Sequence, residues 1–164
     1  MTRFLTLLLA ICLLAPFAAQ GAEAAKKKRI WPGPYQATVA RVVDADTIRV
    51  VASAWPGIDV PVSVRLAGID TPESHRPKCA AERRAGKHAT EVVRGMVAKG
   101  DAVRLRDVQG GKYAGRVVAR LMLLTEQGEV DLGQLLITRG LARPYFGGKK
   151  ADWCAILQAE EQEQ

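Results

Sequence analysis

The sequence predicts a mainly β domain with added helices (α+β): five strands, a helix between the third and fourth, and short helices at the C-terminal end. Three observations point there. Stretches of β-branched, alternating residues recur at 35–43, 47–52, 60–66, 102–106 and 116–124. Between the third and fourth lies one long stretch, 80–99, whose apolar residues fall at helical spacing. Beyond residue 130, two shorter stretches each open on an aspartate, a residue type that caps helix N-termini.

Taken in order, residues 1–24 are expected to be a signal peptide outside the fold. Arg3 starts it, an apolar run from Phe4 to Phe17 is broken only by Thr6 and Pro16, and Ala22-Glu23-Ala24 fits a small-x-small cleavage site. The run is too short for a membrane span. Cys12 lies inside it, behind Ile11, whereas a lipid-anchor cysteine follows a small residue after such a run. The mature protein is expected to be soluble, monomeric and exported, to the periplasm or the medium, with no membrane attachment. It would keep about 140 residues, enough for one domain with one core. Arg3 and Glu23 cancel, so it also keeps the net charge of +7. That charge suits a polyanionic partner: nucleic acid, anionic lipid or acidic polysaccharide.

Residues 25–34 read as a basic arm, with Lys26-Lys27-Lys28-Arg29 as a solvated, flexible run. The main domain is expected over 35–147. Its first two strands form a hairpin through Val43-Asp44-Ala45-Asp46-Thr47. A loop over 54–59, around Trp55-Pro56-Gly57, leads into the third strand, and 71–78 is rich in turn residues. On the helix, Ala85, Ala89, Val92, Val93, Met96 and Val97 share a face, and Gly100 is the expected stop. A glycine-containing loop over 108–114 joins the last two strands, and Gln127-Gly128 turns the chain after them. Asp131 caps a helix over 132–139 that ends at Gly140. Residues 148–164 form a tail in which Asp152 caps a last, acid-rich helix.

Cys79 and Cys154 survive processing. An even count in an oxidising compartment predicts a disulfide between them. It would close a loop of about 75 residues, worth roughly 4 kcal/mol in the chain-entropy model. It would also pin the tail to the start of the long helix. Neither cysteine has a histidine or second cysteine at ligand spacing, which argues against zinc.

Chemistry concentrates at two acidic turns. Asp44 and Asp46 sit in the first hairpin, and Asp70, Thr71 and Glu73 follow the third strand. If those strands are neighbours, the turns meet at one end of the sheet. Carboxylates brought together need either a raised pKa or a cation between them. A hard dication such as Ca²⁺ takes carboxylate and carbonyl oxygens. An EF-hand is excluded, because no Gly or Glu follows Asp44 at the required offsets. Arg65 and Arg116 add guanidinium forks suited to phosphate oxygens. Acids, a dication and two arginines together suit a phosphodiester whose charge grows in the transition state. The element order is that of a five-stranded OB-fold barrel, a class that binds nucleic acid on one face.

With these residues in place, the chain resembles the staphylococcal-nuclease-like (thermonuclease) family. The matching blocks are Val43-Asp44-Ala45-Asp46-Thr47, the nine residues from Arg65 to Glu73, Tyr113-Ala114-Gly115-Arg116-Val117-Val118-Ala119, and Leu135 through Gly140-Leu141-Ala142. They run in the family's order and cover roughly 35–145. The resemblance implies an OB-fold barrel that cleaves DNA and RNA with Ca²⁺ and little sugar specificity, leaving 3′-phosphate ends. By position it implies Asp46 and Asp70 as carboxylate ligands of calcium and Thr71 as a carbonyl ligand. Glu73 matches the acid that orients or deprotonates the attacking water. Arg65 and Arg116 match the arginines that grip the phosphate, and Lys112, Tyr113 and Tyr145 fall where the substrate is contacted. His75 and His88 match no catalytic position.

Two departures from the family pattern stand out. Ala45 occupies a position that is usually glycine, and an alanine there is strained if the backbone needs positive φ. The loop before Arg116 has one extra residue and no acid. The competing function class is a non-catalytic nucleic-acid-binding OB module; the presence of all the acids and both arginines favours an enzyme. A binder of lipid head groups or acidic polysaccharide leaves the acidic cluster unexplained.

Overall fold

The computed structural model describes residues 29–162; the expected signal peptide and the three lysines of the basic run lie outside the described residues. In chain order the elements are β1 (Ile30–Trp31), β2 (Tyr35–Asp44), β3 (Thr47–Trp55), β4 (Ile58–Leu66), β5 (Ile69–Asp70), α1 (Ala80–Met96), β6 (Ala102–Gly110), β7 (Arg116–Thr125), β8 (Gly128–Asp131), α2 (Leu132–Thr138), β9 (Arg143–Pro144) and α3 (Trp153–Gln162). Strands β6, β2, β3, β4 and β7 pair in that order, and β6 pairs with β7 again, which closes a five-stranded barrel. Strands β4 and β7 run parallel and the other barrel pairs antiparallel. With α1 between the third and fourth barrel strands, this is the OB-fold order that the sequence predicts.

Alternation decides which side chains enter the barrel. Ile48 and Val50, Val64 and Leu66, Val103 and Leu105, and Ala119 and Leu121 are buried at every second position of their strands. Each such burial contributes roughly 1.5–3 kcal/mol for the larger side chains, so a slip by one residue would be heavily penalised. Strand β2 breaks the rhythm, burying Ala37, Val39 and Val42. Its register against β3 shifts between Val39 and Arg41, and the bulge restores the inward set one residue later. Ala89, Val93 and Val97 from the α1 segment and Leu132 and Leu136 from α2 join the same core.

Several expected boundaries move, each for a local reason. The 54–59 loop contracts to a Pro56-Gly57 turn, because Ser53 pairs with Asp59 and Trp55 with Ile58. Gly57, at φ +79°, takes the left-handed conformation that so short a turn requires. The 108–114 loop starts later, since β6 runs to Gly110 and pairs Gln109 and Gly110 with Val118 and Val117 beyond a bulge at Asp107. Helix α1 stops at Met96 rather than 99. Val97 turns to extended backbone, φ −138° and ψ 111°, which sends its side chain into the core. Asp101 then accepts the Ala98 amide at 2.8 Å.

The described residues at either end join the fold. Ile30 and Trp31 pair with Gln109 and Val108. At the other end, Asp152 accepts the Ala155 amide at 3.3 Å and caps α3. The Cys79–Cys154 disulfide, with 6.1 Å between Cα atoms, fastens α3 to the N-cap residue of α1. Asp131 caps α2 through the amides of Gly133 and Gln134.

Candidate active site

The site sits where the β2–β3 turn meets the chain leaving β4. The two are tied by the Leu66 amide, which donates to the Asp46 carbonyl at 2.8 Å. Register places Thr47 opposite Arg65, so the hairpin acid and the arginine are brought together by sheet pairing rather than by a flexible loop. Ala45 is buried in the core at 1% exposure. It is not among the residues with positive φ; Asp107 is the one non-glycine in that class among the described residues. The alanine therefore carries no left-handed strain, and Asp46 keeps its place.

Asp46 is buried and fully engaged. Its Oδ1 accepts from Thr47 Oγ1 at 2.8 Å, and its Oδ2 accepts from Thr71 Oγ1 at 3.0 Å and pairs with Arg65 Nη1. The other fork nitrogen of Arg65 lies 3.6 Å from Asp70 Oδ1. Asp70 is buried as well, and its Oδ2 accepts from the Trp153 indole at 3.1 Å. Its Oδ1 is buried without a directed hydrogen bond. Instead it faces the Lys150 ammonium at 3.0 Å, which also contacts Glu73 Oε1 at 2.9 Å. Arg65 thus links Asp46 to Asp70, Thr71 bonds to Asp46, and Lys150 links Asp70 to Glu73. Asp44 stands apart: its Oδ1 accepts from Ser74 Oγ at 2.5 Å and meets His75 Nδ1 at 3.0 Å, fastening the 71–78 loop.

Two residues of α1 hold that loop. Glu82, buried at the helix N-terminus, accepts the Glu73 amide at 3.3 Å and the Lys78 amide at 2.6 Å. Gly86 lets the loop lie directly on the helix; a Cβ there would stand 2.7 Å from the Pro72 carbonyl oxygen and from the Glu73 carbonyl carbon. Glu73 itself is only half-buried, so its carboxylate is held by its backbone yet open to solvent.

The basic groups line the outer face next to the acids. Arg49 and Arg116 both pair in register with Ser63, two residues before Arg65, so alternation puts all three guanidinium groups on the same side. Tyr113, 61% exposed, and Lys112, whose Nζ lies 5.5 Å from the Tyr113 ring, stand on the same turn as Arg116. Tyr113, Arg116, Arg49 and Ser63 line a cleft of about 640 Å³. Tyr145 lines a second cleft of about 570 Å³ with Arg65 and Arg120. In the turn before Arg116, the Arg116 amide donates to the Tyr113 carbonyl at 3.2 Å.

Burial pushes the Arg65 pKa down; the charges of Asp70 and Glu73 oppose this, and that of Arg116 adds to it. For Lys150, burial also disfavours the charge, but the hydrogen bond to Glu73 and the attraction of the Asp70 and Glu73 charges outweigh it and leave the pKa raised.

The donors that Asp46, Asp70 and Thr71 offer are all oxygens, and Asp70 Oδ1 is a buried acceptor lacking a directed bond. That fits a hard dication. The group of three acidic or sulfur ligands at closest spacing among the described residues is Cys79, Glu82 and Cys154, whose sulfurs are joined in the disulfide and offer no thiolate. Lys150, Trp153, Glu82, Gly86 and Arg49 escape the sequence reading. Glu82 leaves a signal, since it stands three residues after the helix cap, where capping-box acids sit.

Comparison with known proteins adds two findings. Residues 63–164 match the family model described as staphylococcal nuclease homologue. A relative in Bacillus subtilis (strain 168), "Endonuclease YhcR", is 30% identical over 119 residues, which is 70% of this chain and 9% of that protein. The chain thus spans less than a tenth of the length of the relative it matches.

Proposed function

This chain belongs to the family of staphylococcal nuclease homologues, and we propose that it is an exported, calcium-dependent nuclease. Its substrates are the phosphodiester bonds of DNA and RNA, taken with little sugar preference, and its products carry 3′-phosphates. The observation that carries the reading is the run of contacts that joins Asp46, Asp70 and Glu73 through Arg65 and Lys150. The endonuclease title of the Bacillus subtilis relative points to the same class of reaction. Export is supported by the leader-like residues 1–24 and by the disulfide, a bond that persists in oxidising compartments.

Asp46, Asp70 and the Thr71 carbonyl would hold the calcium ion, which when bound neutralises and polarises the phosphate. Arg65 and Arg116 bind the diester oxygens from the outer face, where charge accumulates as the reaction proceeds. Glu73, half-exposed and pinned by its amide to Glu82, accepts a proton from the attacking water. Tyr113, Lys112 and Tyr145 contact the flanking nucleotides; stacking on an exposed tyrosine is indifferent to the sugar, which fits broad specificity.

The test uses the purified protein with plasmid DNA and single-stranded RNA, in Ca²⁺ or in chelator. Cleavage only with Ca²⁺, lost in Glu73→Gln, is the expected result. A gel shift without cleavage under every metal tried would instead identify a binding module.

A further inference from the structure

We propose that Lys150 is a tethered counter-cation of the acidic site: its ammonium neutralises Asp70 and Glu73 when no metal is bound, and must leave them for a divalent ion to enter. The inference rests on the nuclease reading of that site and concerns a residue that the reading leaves without a role.

The geometry differs from that of an ordinary surface ion pair, in which both partners are exposed and the contribution is small. The Lys150 side chain is 44% exposed, but its partner Asp70 is only 2% exposed. The oxygen it faces, Asp70 Oδ1, has no directed hydrogen bond of its own. A carboxylate that is buried, next to a second buried carboxylate, needs a positive neighbour to stay ionised. Arg65 supplies one, pairing with Asp46 and reaching Asp70 at 3.6 Å. Lys150 supplies the other, bridging Asp70 and Glu73 at 3.0 and 2.9 Å. Three carboxylates thus face two cations, one on the sheet and one on a strap.

The strap can move. Lys150 follows Gly147 and Gly148, at φ +109° and +85°, and both glycines are exposed with open space around their Cα atoms. The lysine stem adds four flexible bonds. The disulfide and the buried Trp153 fix the chain only a few residues further on. Lys150 can therefore swing out while α3 stays anchored, and its path stays short. Arg65, embedded in β4, has no such freedom.

The readouts are calcium affinity, by calorimetry on the whole protein, and the melting temperature without metal. Lys150→Met keeps the apolar stem and removes the charge. It is expected to bind calcium about tenfold more tightly, and to melt lower than the wild type in chelator. Its calcium-induced rise in melting temperature is therefore larger. A lysine that merely supports the fold would lower affinity along with stability. Lys150→Arg, which keeps a cation, is expected to stay near wild-type affinity. Equal or weaker calcium binding by Lys150→Met overturns the proposal while leaving the nuclease reading intact. Absence of binding of Ca²⁺, Mg²⁺ or Mn²⁺ by both wild type and Lys150→Met overturns the metal reading and this proposal together.

Discussion

Breaking the Cys79–Cys154 bridge tests whether the C-terminal helix is part of the site or an appendage. The perturbation is the double substitution Cys79→Ser, Cys154→Ser; serine at residue 79 keeps a capping oxygen at the start of α1. The bridged residues are 75 apart in sequence, and closing such a loop removes unfolded-chain entropy worth about 4.5 kcal/mol at 25 °C. With about 2.1 cal/mol/K of unfolding entropy per residue over about 130 ordered residues, that corresponds to a fall in Tm of roughly 15 °C. Thermal melts followed by circular dichroism give the Tm, and calorimetric titration with calcium gives the site. Affinity is expected to drop as well, because the bridge anchors the helix whose Trp153 indole donates to Asp70 at 3.1 Å. A fall in Tm of less than about 3 °C would refute the loop-entropy argument. A large fall in Tm with unchanged calcium affinity would refute the link between α3 and Asp70.

Two further outcomes separate close causes. Gly86→Ala is expected to destabilise by about 1–2 kcal/mol and to slow cleavage, since backbone atoms of the Glu73 loop lie 2.7 Å from the added Cβ and overpacking outweighs the better helix propensity; Gly95→Ala on the same helix meets nothing within 4 Å and is expected to stabilise slightly, so equal effects in denaturant titrations would refute the contact. Glu129 accepts from Arg106 at 2.8 Å and Arg104 at 2.7 Å, and those bonds hold its pKa below the usual 4.5. A carboxyl whose folded pKa is depressed contributes above its unfolded pKa and loses that contribution as pH falls through the folded one. Glu129→Gln is therefore expected to lower Tm at neutral pH and to converge with wild type by about pH 2, and a gap that persists there would exclude the ion-pair account.

The half of the site between Arg65 and Glu73 was legible because strand, turn and loop put those groups on one short piece of chain. Asp46 was legible because hairpin pairing brings residue 47 opposite residue 65. Lys150 and Trp153 were not, since they lie 77 and 83 residues from their partners Glu73 and Asp70 and no local pattern aims them there. Lys149-Lys150 reads like any solvated basic pair until the disulfide folds it back. The barrel strands were legible from alternation and the loops were overdrawn, because Gly and Pro mark a turn without saying how far the ladder continues on either side. The concern over Ala45 dissolved for a similar reason: residue type limits φ, but the sheet decides which φ the turn needs.

Arg65 makes its closest contact to Asp46; its other fork nitrogen donates to the Ile69 carbonyl at 3.4 Å and lies 3.6 Å from Asp70. A guanidinium engaged in that way cannot present its fork to a phosphate while the acids depend on it. It becomes free for substrate only when another positive charge satisfies Asp46 and Asp70. On the proposed nuclease reading, the cation would have to be in place before Arg65 could grip a diester, and nucleic acid that binds without it should rest on Arg49, Arg116 and the exposed tyrosine rather than on Arg65. Binding measured in chelator should then be insensitive to Arg65→Ala and weakened by Arg116→Ala, whereas in calcium both substitutions should cut turnover; strong dependence on Arg65 in chelator would break this chain of reasoning.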